Sequence, residues 1–143
     1  DSSTSRGLGD VYKRQMLGMG GAEMARIPSE FKRSLIHKKG ALAAARDGNL
    51  EKASSACQFY IVQGRKIPLT EIAMYEQNKG FTYTVDQKNI YQNIGGTPML
   101  DMEYTVFGEV VSGLDVIDKI ANLSRDGNNR PYADIRMKME IIK

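Results

Sequence analysis

The chain of 143 residues is long enough for one domain with a sizeable core. Its formal net charge is only +3, and acidic and basic residues interleave along it, which argues against a concentrated nucleic-acid-binding surface. One cysteine and one histidine exclude an intramolecular disulfide and a Cys/His zinc cluster, and no apolar run approaches the length of a membrane span. The composition therefore favours a function that needs neither a metal nor a covalent nucleophile.

The first 15 residues show no convincing periodicity and no signal-peptide core. The segment from Ser5 to Gln15 resembles the in-frame translation of a transposase sequencing adapter. We interpret residues 1–15 as a non-native leader rather than a disordered native tail, and we expect the native portion to begin near Met16.

The next segments predict a loop followed by short strands. Residues 16–31 are Gly-rich and then polar, which is typical of loop and turn. Residues 41–46 are Ala-rich and short, so they predict either one or two helical turns or a buried strand. Residues 58–63 predict a strand with Gln58 and Tyr60 on one face and Phe59 and Ile61 on the other.

Two helices are predicted between this strand and the next one. Residues 69–79 and 84–93 have helical patterns, and Thr84 with Gln87 has the spacing of a capping box. The region 64–98 is therefore interpreted as a helical insertion between two strands.

The last third of the chain predicts two strands and a helix. Residues 104–111 are rich in β-branched and aromatic side chains, and residues 114–123 have an amphipathic helical pattern. Residues 135–143 alternate apolar and polar side chains, which predicts a half-buried strand. These elements alone indicate an α+β domain of unspecified function.

Four segments, in the same order and spacing, resemble the cyclophilin family. They are Ile27-Pro-Ser-Glu-Phe31, Gly40-Ala-Leu-Ala-Ala-Ala-Arg46, Ser55-Ala-Cys-Gln-Phe-Tyr-Ile61, and Leu100-Asp-Met-Glu-Tyr-Thr-Val-Phe-Gly-Glu-Val-Val111 with the helical pattern after it. The resemblance covers residues 16–143, and the region 64–98 is similar to insertions in bacterial members. It implies a mainly β fold, a closed eight-stranded antiparallel barrel capped by two helices, which we expect to be incomplete here because the N-terminal strands precede residue 16.

The resemblance also implies a peptide-binding groove on the outside of the barrel. Tyr60 corresponds to the aromatic floor of the proline pocket and Leu100 to a lining residue, while Met99 and Tyr104 correspond to its rim. Gln58 corresponds to a glutamine that positions the substrate, so Gln58 and Tyr60 are the expected catalytic residues. The expected substrate-binding residues are Ala45, Arg46, Gln58, Tyr60, Met99, Leu100 and Tyr104.

Residue types alone would favour simpler roles for several of these side chains. An aromatic in a strand, such as Tyr60, is more often a core residue, and Arg46 is more often a solvated charge. Ala45 and Arg46 lie in the segment whose backbone pairs with the bound peptide in the family. His37 is interpreted as a turn or strand-edge residue without a catalytic role.

The implied function is peptidyl-prolyl cis-trans isomerisation that assists protein folding. The expected partners are proline-containing peptides or unfolded protein clients, bound by a monomer without nucleic acid, membrane span, metal or cofactor, in a bacterial cytoplasm or periplasm. The family's catalytic arginine lies in a Phe-His-Arg-Val-Ile segment that does not occur in this sequence. We therefore expect this chain to be weak or inactive.

Two other functions are compatible with the sequence. One is a non-catalytic proline-peptide-binding or chaperone-like module that uses Tyr60, Leu100 and Tyr104. The other is a nucleic-acid-associated β protein, suggested only by a pI of about 9.0. The first predicts saturable binding without isomerisation, and the second predicts steeply salt-dependent binding to DNA or RNA.

Overall fold

A computed structural model describes residue 21 and residues 23–143 of the chain. Residues 1–15, which we interpret as a leader, lie outside the described residues. The same is true of residues 16–20 and 22 in the Gly-rich loop. From residue 23 to residue 31 the backbone has turns and irregular structure, with a single isolated bridge from Ile27 to Ser54. This agrees with the loop predicted there.

Three short antiparallel strands form an open sheet. Strand β1 (Ala41–Ala44) lies between β2 (Phe59–Ile61) and β3 (Val106–Glu109). β1 is a strand rather than helical turns because partners on both sides satisfy its backbone groups, while Ala41 and Ala43 fill the buried face. A sheet closes into a barrel only when its edge strands also pair. Among the described residues β2 and β3 pair with no further strand, so the sheet is not a closed barrel.

Helices α1 (Leu69–Lys79) and α2 (Val85–Asn93) follow β2. Gly80 ends α1 in the left-handed conformation that glycine adopts without steric cost. The predicted capping box is confirmed at the start of α2. Thr84 Oγ1 accepts from the Gln87 backbone at 3.2 Å, and the Gln87 side chain accepts from the Thr84 backbone at 3.1 Å.

Buried side chains form two clusters. The first is built from residues 64–98, which we call the helical segment, together with Ile36. The second lies on one face of the sheet, where Tyr60 packs against it. The buried members of the first cluster are Ile36, Ile67, Ile72, Tyr83 and Tyr91, and those of the second are Ala41, Ala43, Val62 and Val106.

The opposite face of the sheet is more exposed. Phe59 and Phe107 line a cavity of about 340 Å³, and the exposed fractions of Ile61 and Phe107 are 37% and 58%. Phe59 and Tyr60 thus belong to different faces, as the alternation predicts. The face that was expected to fill a barrel interior lies instead on an open three-stranded sheet.

The C-terminal part of the chain differs from the prediction. A short 3₁₀ helix (Pro98–Leu100) precedes β3, and helix α3 (Leu114–Ala121) follows it, anchored by Lys39 and Gln63, whose side chains both donate to Asp118. The strand predicted over residues 135–143 is wrong, because that segment has no regular structure. An alternating pattern becomes a strand only when a neighbouring strand accepts its hydrogen bonds, and this segment pairs with none of the described strands.

Candidate functional site

Tyr60 is the centre of the candidate site. It lies on β2 opposite Ala43, and its half-buried ring packs on the sheet cluster. The ring meets that of Tyr104 edge-on, with centroids 5.8 Å apart and planes at 83°. This geometry is the favoured one for an aromatic pair. The structure therefore brings together two of the expected groove residues that are far apart in sequence.

Arg46 joins this aromatic pair from the end of β1. Its guanidinium carbon lies 4.6 Å from the centre of the Tyr104 ring, a cation–π contact. Its Nε donates to the Glu103 carbonyl at 2.8 Å, and its side chain is only 13% exposed. Arg46 is thus held against Tyr104, not a freely solvated charge.

An acidic residue completes this side of the site. Glu103 accepts from Lys52 Nζ at 2.8 Å and lies 3.4 Å from Arg46. The hydrogen bond from Lys52 is the largest cause that lowers the pKa of Glu103. The carboxylate is thus charged at neutral pH and helps to keep Arg46 in place.

Met99 and Leu100, which we call the wall, lie a few residues before Tyr104 in the chain. Both belong to the 3₁₀ helix, where the Met99 side chain is 52% exposed and Leu100 is half-buried. The Leu100 carbonyl accepts from the Tyr104 backbone at 3.2 Å, which fixes the turn between them. Lys79 at the end of α1 donates to the carbonyls of Met99 and Asp101, both at 2.9 Å. The wall is therefore attached to the helical segment.

Ala45 and Gln58 are joined through their backbones. The Ala45 N–H donates to the Gln58 carbonyl at 2.9 Å, and the Ala45 carbonyl accepts from Ser55 at 2.8 Å. Both backbone groups of Ala45 are therefore used within the chain. The backbone groups of Arg46 have no backbone partner among the described residues. Gln58 also lines the cavity on the exposed face of the sheet.

A buried polar network lies beneath Tyr60. The Tyr60 hydroxyl is 2.9 Å from His37 Nε2, and the two ring planes are 14° apart with centroids separated by 6.0 Å. His37 Nδ1 is 2.8 Å from Asp101 Oδ1, which also accepts from the His37 backbone at 2.7 Å. Asp101 Oδ2 accepts from the hydroxyls of Tyr83, at 2.7 Å, and Tyr91. Asp101 thus receives four hydrogen bonds.

The sequence prediction missed the role of His37 and Asp101 in this network. His37 has no exposed surface and Asp101 is 3% exposed. His37 lies next to a bridge residue, Lys38, so its place near a strand edge agrees with the sequence interpretation, but its burial was not foreseen. A single sequence offers no signal that joins residues 64 positions apart, such as His37 and Asp101.

Burial raises the pKa of all three tyrosines in the network. It is the largest cause at Tyr60, Tyr83 and Tyr91, and the charge of Asp101 raises the pKa of each further. The three hydroxyls therefore keep their protons at neutral pH. They can act as hydrogen-bond donors, but they are unsuited to act as general bases.

Other kinds of site are not evident in residue 21 and residues 23–143. No group of three or more His, Cys, Asp or Glu side chains there is arranged to hold a metal ion. No helix among those residues has the length and apolarity needed to cross a membrane.

Comparisons with known proteins place the sequence beside one family. The model of the family "Cyclophilin type peptidyl-prolyl cis-trans isomerase/CLD" matches residues 3–141. A protein of Staphylococcus saprophyticus named "Putative peptidyl-prolyl cis-trans isomerase" is 32% identical over 129 residues, which are 88% of this chain and 62% of that protein. A protein of the same name from Staphylococcus aureus strain USA300 is 31% identical over 120 residues, 82% of this chain and 58% of that protein.

The chain therefore spans about three fifths of the length of these relatives. The family match itself extends over nearly all of the 143 residues. The resemblance in the four sequence segments is thereby confirmed, and the chain belongs to the cyclophilin-type peptidyl-prolyl cis-trans isomerase family.

Proposed function

We propose that this chain binds Xaa-Pro peptides along Tyr60, Tyr104 and the wall Met99–Leu100, as part of a peptidyl-prolyl cis-trans isomerase that assists protein folding. The observation that carries the proposal is the Tyr60–Tyr104 pair with Arg46 held over the second ring. An aromatic pair offers apolar surface of the kind that a pyrrolidine ring needs. Family membership supplies the reaction class.

Isomerisation of an Xaa-Pro bond requires no acid–base pair and no nucleophile. Rotation about an Xaa-Pro bond is slow because it breaks an amide resonance that sets a barrier of roughly 18–20 kcal/mol. No covalent bond is made or broken, so a catalyst must bind the twisted amide more tightly than either planar form. This requirement suits a site of aromatic rings and fixed donors with no metal or nucleophile.

Each predicted site residue has a role in this proposal. Tyr60 supports the proline ring from below, and Leu100 bounds the pocket beside it. Met99 and Tyr104 form the rim, and Gln58 orients the peptide. Arg46, just after β1, has backbone groups with no backbone partner among the described residues, and an extended peptide can add its own hydrogen bonds there. Ala45 contributes through its bonds to Gln58 and Ser55, which fix that backbone.

Catalysis by this chain alone is expected to be weak or absent. The Phe-His-Arg-Val-Ile segment that carries the family's transition-state donor does not occur among the 143 residues. Removing a preorganised donor of this kind typically costs about 10²–10³-fold in rate. We therefore separate two claims: that the groove binds proline peptides, and that the chain by itself accelerates their isomerisation.

Proton NMR of a short Ala-Pro peptide tests both claims in one sample. Titration with the full chain should shift the peptide's proline resonances in a saturable way, and Tyr104→Ala should weaken this binding. Exchange peaks between cis and trans forms should be absent or faint. Strong exchange peaks would refute the expected loss of catalysis, and unshifted peptide resonances with a folded protein would refute the groove itself.

The alternative function is a non-catalytic proline-peptide-binding or chaperone-like module. The absence of the arginine-bearing segment favours it for this chain, since binding then remains without the donor. The same titration distinguishes the two functions when the relatives' full-length protein is measured beside this chain. Catalysis by the longer protein supports the isomerase, whereas binding without exchange in both supports the module.

A further inference from the structure

The hydrogen bonds beneath Tyr60 form a continuous path from the helical segment to the proposed pocket floor. Tyr91, which belongs to α2, and Tyr83, which precedes it, both donate to Asp101. Asp101 accepts from His37, and His37 reaches the Tyr60 hydroxyl. Four side chains separated in sequence are thus linked behind the ring that would carry the substrate.

Burial makes this path rigid. His37 and Tyr91 have no exposed surface, and Tyr83 and Asp101 are each 3% exposed. Where water cannot substitute for a lost partner, an unmade hydrogen bond costs the full desolvation of the group. Each member is therefore held in one orientation by its neighbours.

The donor and acceptor roles follow from the chemistry of Asp101. A carboxylate has no proton to give, so His37 Nδ1 must donate to it. If the imidazole is neutral, Nε2 then carries a lone pair and can accept from the Tyr60 hydroxyl. The planes of the His37 and Tyr60 rings are nearly parallel, 14° apart, and the rings meet at this hydrogen-bonded edge.

We propose that His37 and Asp101 are positioning residues for Tyr60, and that the helical segment sets the geometry of the proline pocket through them. This proposal rests on the proposed function for its consequence in peptide binding. The Lys79 contacts with the carbonyls of Met99 and Asp101 add a second attachment of the same segment to the pocket wall. The helical segment thus supports the floor and the wall together.

The first test measures the hydrogen bonds of His37 in the absence of peptide. His37 is the only histidine in the chain, so the imidazole ¹⁵N spectrum of the full protein reports one residue. We expect Nδ1 to appear as the protonated nitrogen and Nε2 as a hydrogen-bonded acceptor. Tyr60→Phe should move the Nε2 signal toward that of a free acceptor nitrogen. An Nε2 signal that does not respond to Tyr60→Phe would overturn the proposal.

The second test asks whether His37 acts through Tyr60. Loss of an ordered ring orientation is expected to weaken Ala-Pro peptide binding by about 2-fold to about 10-fold. His37→Leu and Tyr60→Phe should each have this effect, and the double variant should be no weaker than either single variant. Multiplied effects in the double variant would show that His37 acts through the general fold, which would overturn the proposal.

Two further variants provide rescue and control. His37→Gln returns an acceptor near the Nε2 position and should recover part of the affinity that His37→Leu loses. Tyr75→Phe removes a hydroxyl from the same helical segment, but one that bonds Glu71 at 3.3 Å and does not contact Asp101. The ¹⁵N spectrum and the peptide affinity should be unchanged in Tyr75→Phe. In Tyr83→Phe/Tyr91→Phe, peptide affinity should fall, and an unchanged affinity would refute control by the helical segment.

The outcomes separate the two proposals. If the ¹⁵N signals respond as expected but the wild-type chain binds no peptide, the positioning of Tyr60 stands and the proposed function fails. If the peptide binds but the ¹⁵N signal of His37 Nε2 is unchanged in Tyr60→Phe, the proposed function is supported and the positioning of Tyr60 by His37 is refuted.

Discussion

Asp101→Asn is the most informative single change for stability, because one side chain receives four buried hydrogen bonds. Asparagine keeps the shape and keeps one acceptor oxygen. Its amide nitrogen, however, donates, and it would face either the two His37 donors or the hydroxyls of Tyr83 and Tyr91. The hydroxyls can rotate to accept from the amide, so we expect the side chain to place its nitrogen toward them.

The cost follows from the loss of charge. A hydrogen bond to a charged group contributes about 1.5–3 kcal/mol, against about 0.5–1.5 kcal/mol for a neutral pair. The difference of roughly 1–1.5 kcal/mol applies to each of the four bonds, but these bonds share partners and do not add fully. We therefore expect Asp101→Asn to lower the free energy of unfolding by about 3–5 kcal/mol. That is a large part of the roughly 5–15 kcal/mol of a typical domain.

Urea unfolding followed by circular dichroism measures this loss. The matched control is Asp115→Asn, which makes the same chemical change on a side chain that is 68% exposed and pairs with Lys119 on α3. An exposed pair of this spacing is worth about 0.3–0.5 kcal/mol, so the control should change little. A loss below about 1 kcal/mol in Asp101→Asn would refute the reasoning, since it would mean that the carboxylate is not the acceptor of this network.

Three smaller predictions concern the helical segment. The hydrogen bond from Lys88 lowers the pKa of Glu76, so the ionised Glu76 contributes stability that is fully present above the ordinary glutamate pKa of 4.5 and is lost as the pH falls through the lower, folded pKa. Glu76→Gln should therefore flatten the acid limb of stability measured by urea unfolding. Thr84→Ala removes the capping box of α2 and should lower the free energy of unfolding by about 1 kcal/mol. Gly96→Ala should lower it by about 1–3 kcal/mol, because the added Cβ would lie 2.3 Å from the His37 carbonyl oxygen.

Neighbouring positions provide the controls. Thr82→Ala removes an exposed hydroxyl outside the cap, and a loss equal to that of Thr84→Ala would contradict the capping argument. Gly48→Ala places its Cβ where no atom lies within 4 Å, and it should be tolerated. An acid limb in Glu76→Gln as steep as that of the wild type would show that Glu76 does not titrate with folding.

Local signals made part of this fold predictable from sequence. The bounds predicted for α1 coincide with those observed, since its helical pattern stops at Gly80, which ends the helix. The cap of α2 was predictable for a similar reason, because its two members, Thr84 and Gln87, lie only three residues apart. Such features depend on residues that are neighbours along the chain, and these a single sequence displays.

Features that depend on distant partners were less accessible. The Ala-rich residues 41–46 left helix and strand open, because alanine favours a helix intrinsically but also fits a buried strand between two others. The alternation in residues 135–143 was read as a strand, yet alternation says nothing about whether a partner edge is present. In both cases the deciding hydrogen bonds come from another part of the chain.

The same distinction applies to the candidate site. The family resemblance identified Tyr60, Tyr104 and Arg46, and the structure brings these three into contact. Met99 and Leu100 lie together on the adjoining 3₁₀ helix, and Gln58 is joined to Ala45 by a backbone bond. Their functional roles remain predictions. The contact of His37 with Tyr60, and that of Asp101 with His37, could be recognised only in the structure.

The hydroxyl of Tyr60 connects the residues identified from the family resemblance with the buried residues His37 and Asp101. A phenylalanine at position 60 would need only apolar packing, whereas a half-buried tyrosine must also find a partner for its hydroxyl or lose about 1–3 kcal/mol. His37 is that partner here, and a buried histidine in turn needs an acceptor for Nδ1, which Asp101 provides. Asp101 then needs donors for its second oxygen, and Tyr83 and Tyr91 supply them from the helical segment. One polar atom at the proposed pocket floor thus requires a chain of satisfied partners, and this requirement ties the helical segment to the proposed groove.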